Sequence, residues 1–159
     1  MGDTTFEGRI VAIYTTPAEG KPMEGRDEVR AIAGKGLEGD RYANEAGKYS
    51  GFRIEDAQRA VTLIEREAIE AVNSEGVELD ESETRRNLVT EGVPLNHLLG
   101  REFTVGDVRL RGFDFSHPCS YLEEQTRAGV RRALVHRGGL RAEILDDGVI
   151  RVGDRVAPA

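Results

Sequence analysis

The chain holds a single cysteine, Cys119, so no internal disulfide can form. No apolar run approaches the roughly 20 residues a membrane helix needs. The opening Met1-Gly2-Asp3-Thr4-Thr5 has neither a basic start nor an apolar stretch, which argues against a secretory signal. One cysteine and no export signal make a reducing, cytoplasmic location the expectation. Positive charge is in deficit: 22 Lys and Arg against 29 Asp and Glu give a net charge of −7. That opposes non-specific attraction to nucleic acid or to an anionic membrane, so neither is expected as a partner. Repeats, low-complexity tracts and interdomain linkers are missing too, and a single domain over residues 5–156 is expected. One cysteine and three scattered histidines give no zinc spacing. The glycine loop around Lys35 ends in no Gly-Lys-Ser/Thr, so it is not a Walker A loop.

What the chain does have is many short β-patterned segments. Residues 5–14 read as a strand through Phe6, Ile10, Val11, Ile13 and Tyr14. Pro17, Gly20, Pro22 and Gly25 mark residues 15–27 as a loop. Residues 28–33 alternate charged and apolar side chains, as a strand does, and run into a glycine-punctuated loop. Residues 44–58 lack a period and read as a long surface loop, a place where function often lies. A buried strand is expected over 60–64. A helix follows over 65–73, with Ala68, Ala71 and Val72 on one stripe and Gly76 as its stop. Further strands are expected over 84–90, 102–105 and 108–115, the last two as a hairpin across Gly106-Asp107. A helical turn is expected over 94–100, and short helices over 121–126 and 129–136. A terminal hairpin is expected from 141–145 and 149–156 across Asp146-Asp147-Gly148. Many strands and few, short helices suggest a mainly β, barrel-like domain.

Four segments could carry chemistry. Cys119 sits in Phe115-Ser116-His117-Pro118-Cys119. Pro118 restricts the backbone before the thiol, and a helix after it would favour the thiolate, the form that attacks sulfur or binds a soft metal. Free cysteine is also a common buried filler, so both readings stay open. Arg85-Arg86-Asn87-Leu88-Val89-Thr90 offers guanidinium forks and neutral hydrogen-bonding groups to a small anion. On a strand the two arginines would face opposite ways, so one of them is expected to be structural. His136-Arg137-Gly138-Gly139-Leu140-Arg141 combines basic groups with two glycines whose amides could point at an anion, or is simply a turn. Lys35-Gly36-Leu37-Glu38-Gly39-Asp40-Arg41-Tyr42 is a charged glycine turn.

In this order these segments resemble the MOSC domain, found at the C-terminus of molybdenum cofactor sulfurases. Leu98-Leu99-Gly100-Arg101-Glu102-Phe103-Thr104-Val105-Gly106 and Ile150-Arg151-Val152-Gly153-Asp154 extend the resemblance over nearly the whole chain. The resemblance implies a mainly β fold with a few short helices, a MOSC-type β-barrel like that of the pyruvate kinase β-barrel domain. It implies that Cys119 either carries sulfur as a persulfide or ligates molybdenum of the pterin cofactor (molybdopterin). Arg86, Asn87, Thr90, Arg137, Gly138 and Arg141 would contact the cofactor, with Lys35, Asp40 and Arg41 on the opposite rim. Pyridoxal phosphate would enter only through a partner, a cysteine desulfurase that hands over sulfur; a redox partner is the other expectation. At this length no aminotransferase domain is expected, and the chain reads as a stand-alone member with a sulfurtransferase-like or molybdenum-dependent activity. A reductase of N-hydroxylated compounds with an external electron donor is the alternative, and a non-enzymatic anion-binding module with a structural Cys119 is the third.

Overall fold

Strand alternation is clearest in β8 (Val108–Phe115), where Val108, Leu110 and Gly112 turn inward and Arg109 and Arg111 outward. The same period places Phe103 and Val105 of β7 (Glu102–Val105) and Leu140, Ala142 and Ile144 of β9 (Leu140–Ile144) in the core. In the computed structural model, residues 5–18, 20–41, 43, 60–116 and 120–159 are described. The remaining strands are β1 (Gly8–Thr15), β2 (Glu24–Arg26), β3 (Glu28–Ile32), β4 (Gly36–Leu37), β5 (Val61–Glu65), β6 (Leu88–Glu91), β10 (Gly148–Arg151) and β11 (Arg155–Pro158). Helices are α1 (Arg66–Ser74), α2 (Ser120–Gln125) and α3 (Val130–Ala133), with 3₁₀ turns at Glu81–Thr84 and Leu95–Leu98.

The main sheet runs β11-β7-β8-β9-β5-β6-β1, and β11 pairs again with β1. That second pairing closes a seven-stranded mixed β-barrel, to which β2 adds at the edge of β1. A smaller sheet, β10-β3-β4, packs its Val29, Ala31, Leu37 and Ile150 into the same core. Among the described residues β5 and β6 form the parallel pair of the barrel, and α1 begins the connection between them. β5 does not alternate: Val61, Thr62, Leu63 and Ile64 are all buried. The reason is a second layer. Ile69 and Val72 of α1, Val130 of α3 and Leu134 just after it pack against Ile64 and Val89 on the outer face.

Most elements lie where local pattern puts them, and the hairpin of β7 and β8 has the expected bounds. Four segments differ, the first being the glycine-punctuated loop after residue 33, which contains the short strand β4. Residues 15–27 are not all loop, because β2 pairs with the end of β1. Residues 84–90 are not one strand: the 3₁₀ turn ends in Arg85 with φ 61°, and β6 starts only at Leu88. The terminal hairpin does not form. β9 pairs with β8 and β5, whereas β10 pairs with β3 and β11 with β7 and β1. Asp146 and Asp147 serve distant backbone instead, accepting from the N–H groups of Arg109 at 3.3 Å and Ala33 at 2.7 Å. The expected loop over 44–58 lies outside the described residues.

Residues 34–39 spell Gly-x-Gly-x-x-Gly. A dinucleotide fingerprint needs those glycines between a strand and a helix of a parallel unit. Here Gly34 lies on the turn between β3 and its antiparallel neighbour β4, Gly36 in β4 and Gly39 on the turn after it, so the pattern has no such role.

Candidate functional site

The site is built where β8 and β9 run out together. Phe115 and Leu140 are their last paired residues, and one step further the Ser116 N–H donates to Gly139 O at 2.8 Å. Arg86 enters this corner from the bend made by left-handed Arg85. It is 8% exposed. Its Nε donates to Gly138 O at 2.8 Å and its Nη2 to Ser116 O at 3.0 Å. One guanidinium thereby clamps the segment after β8 to the segment before β9. Arg85 leaves the other way, its Nη1 donating to Lys21 O at 2.8 Å. The two arginines diverge as expected, through a left-handed bend rather than strand alternation.

Between these segments lies a cavity of about 150 Å³, lined among the described residues by Asn96, Phe115, Ser116, His136, Gly138 and Gly139. Two backbone positions shape it. Gly139 has φ 110°, and a Cβ there would come within 2.1 Å of Leu63 O, so only glycine fits. His136 holds φ 66° without being glycine. That strain persists because Asn96 Nδ2 donates to His136 O at 2.9 Å and holds the turn. Ser116 is fully buried, yet its hydroxyl has no hydrogen-bond partner. A buried hydroxyl left unpaired is unfavourable, and native structures keep few of them.

His136 also borders a second, open cleft of about 490 Å³, with Arg132 and Arg137 on its walls. Arg137 is anchored there, Nε donating to Ala133 O at 2.7 Å and Nη2 pairing with Glu75 at 2.8 Å. Cations outnumber carboxylates on this lining, which suits an anionic ligand.

The structure therefore brings Arg86 and Gly138 together with Ser116, and puts Arg137 next door across His136. Other expected contacts stand elsewhere. Asn87 is fully buried: its Oδ1 accepts from Thr62 N–H at 3.0 Å and Thr62 Oγ1 at 3.1 Å, and its Nδ2 donates to Tyr14 O at 3.1 Å. Thr90 is buried on β6, its hydroxyl 3.4 Å from Ile64 O. Arg141 lies half-buried on β9, between Thr62 of β5 and Asp114 of β8 in the register. Lys35 is exposed on the turn after β3. Asp40 and Arg41 form a buried pair at 3.2 Å; Asp40 accepts from Thr16 N–H and Arg41 donates to Arg85 O. None of these six is among the described residues lining either cavity. His117, Pro118 and Cys119 lie outside the described residues, and α2 begins at the next residue, Ser120. Ser116 and Asn96 carry no sequence signal of their own. Their places follow from where β8 ends and where the turn Leu95–Leu98 packs.

Among the described residues no three His, Cys, Asp or Glu side chains gather to hold a metal, and no helix is long and apolar enough to cross a membrane.

The MOSC domain model matches residues 34–157. The fold is similar to that of the YuaD protein from Bacillus subtilis, with a TM-score of 0.81 at 16% identity over 98% of both chains. It is also similar to YiiM from Geobacillus stearothermophilus, with a TM-score of 0.72 at 14% identity over 96% of this chain and 75% of that one. YiiM from Escherichia coli gives a TM-score of 0.69 at 17% identity over 99% and 70%. No curated protein sequence matches the chain significantly.

Proposed function

The chain belongs to the MOSC domain family, and on that premise we propose that it carries sulfur on Cys119, as a persulfide, in molybdenum cofactor or metal–sulfur metabolism. The observation that carries this reading is the buried, unpartnered hydroxyl of Ser116, on a small cavity three positions ahead of the only cysteine. No carboxylate is among the described lining residues, and the Arg86 guanidinium is held against two of them. A thiol brought to such surroundings would be favoured as thiolate or persulfide anion over the neutral form. In the loading step the Cys119 thiolate attacks the outer sulfur of a donor persulfide. The donor's S–S bond breaks, and its own cysteine leaves as thiolate. The donor would be a separate pyridoxal-phosphate-dependent cysteine desulfurase.

The open cleft favours a second reading, in which the domain binds molybdenum cofactor. A cavity of 150 Å³ falls below the roughly 300–1,000 Å³ of ligand pockets, while the adjoining cleft of 490 Å³ falls within that range. The residues fit an anionic cofactor there: Arg132, His136 and Arg137 would hold its charged end, and Cys119 would offer a soft ligand to the metal. When bound, molybdenum would supply the electron-transfer chemistry of a reductase of N-hydroxylated compounds served by a redox partner. In either reading Arg86 is a positioning residue, and Asn87 and Thr90 act through the sheet.

The test takes protein from a molybdenum-replete host and protein incubated with a cysteine desulfurase and cysteine. Elemental analysis reads molybdenum, and peptide mass reads one added sulfur atom on Cys119. Sulfur on the wild type and none on Cys119→Ser is the expected result. Molybdenum that is lost in Cys119→Ser selects the second reading. Neither signal in the wild type, or signals unchanged in the variant, sinks both.

A further inference from the structure

The small cavity is short of acceptors. Its backbone carbonyls are engaged one after another: Ser116 O and Gly138 O by Arg86, Gly139 O by the Ser116 N–H, and His136 O by Asn96. Its donors are not. The Ser116 hydroxyl is buried without a partner, and among the described residues nothing accepts from the Gly138 or Gly139 amide. Both glycines are buried. Three donors, no carboxylate among the described lining residues and a buried guanidinium behind the wall make a lining with one electrostatic sense. Successive amides at a glycine turn form an anion-accepting concavity of this kind.

Size narrows the ligand. About 150 Å³ corresponds to roughly five waters. That admits a small ligand such as a tetrahedral oxoanion. We propose that this cavity is an oxoanion-binding subsite, with the Ser116 hydroxyl and the Gly138 and Gly139 amides as its donors. The inference rests on the proposed reading of the site only for the ligand's source: a free sulfur oxoanion, or the phosphate end of a larger molecule.

Full-length protein is titrated with thiosulfate and with inorganic phosphate by calorimetry, beside Ser116→Ala and Cys119→Ser. Saturable binding is expected in the wild type. It weakens about tenfold or more in Ser116→Ala, the loss of one hydrogen bond to a charged ligand. Because the hydroxyl has no partner within the described structure, Ser116→Ala should melt at or above the wild-type temperature, so a loss of binding is not a loss of fold. Cys119→Ser keeps the oxoanion affinity, and this separates a failed subsite from a failed sulfur carrier. Tighter thiosulfate points to the free sulfur oxoanion, and tighter phosphate to the end of a larger ligand. No saturable binding of either anion by the wild type, or equal binding by Ser116→Ala, overturns the proposal.

Discussion

Glu65 closes β5 and opens α1, and its carboxylate accepts from the Leu95 N–H at 3.2 Å. Burial pushes its pKa above the usual carboxylate value, more than that backbone hydrogen bond pulls it down. A raised folded-state pKa contributes stability that is fully present below the unfolded value. That contribution is lost as pH rises through the folded one. At neutral pH, above the ordinary carboxylate range, Glu65 therefore weakens the fold. Glu65→Gln keeps an acceptor for Leu95 and removes the charge. Its melting temperature should exceed that of the wild type at pH 7, with the difference shrinking as pH falls through the carboxylate range. Parallel melting profiles against pH would contradict this account. Arg86 shows the limit of reading residues one at a time. Its fork and burial suit an anion, yet two of its donors hold backbone carbonyls, and its contribution passes through Ser116 and Gly138.

Among elements, the join of β1, β5 and β6 depends on one side chain. Asn87 stands just before β6, and its amide bonds to Thr62 and Tyr14 as three neighbouring segments meet. Asn87→Ala leaves the buried Thr62 N–H and Tyr14 carbonyl short of partners, and should cost about 2–4 kcal/mol in urea unfolding. A change under about 0.5 kcal/mol would mean that other groups satisfy this corner. The bend before Asn87 was partly legible: Asp80 and Glu83 have capping-box spacing, and both reciprocal bonds are made. The β-forming residues that follow hide it, because Leu88 and Val89 extend equally well from either start. The hairpin expected across Asp146-Asp147-Gly148 has the opposite history. Its turn signal is genuine, but β9 and β10 find partners far away in sequence, and local pattern does not choose partners.

At the scale of the whole molecule, closure of the barrel rests on β11, which pairs with β7 on one side and β1 on the other. Val156 sits at that seam and is fully buried. A carboxylate there would be unpaired in the core, a far larger penalty than a lost methyl group. Val156→Asp should show no cooperative unfolding transition by circular dichroism, whereas exposed Val152→Asp should melt close to the wild type. Closure also sets the β8 and β9 ends beside the turn that carries Asn96, so the small cavity is a product of the barrel as a whole.

By itself the sequence determined most strand and helix positions, the mainly β class, the family, and the glycine-rich and arginine-rich segments that meet at the site. Those are properties of local pattern: period, turn chemistry and residue type repeat within a few positions. Only the tertiary structure decided which segments pair, that Asn87 and Thr90 face into the sheet, and that Arg86 holds the wall of a cavity. The orphaned hydroxyl of Ser116 belongs to the same class. Whether a donor is free depends on which distant carbonyls other donors have already taken, and that is settled only when the chain is folded.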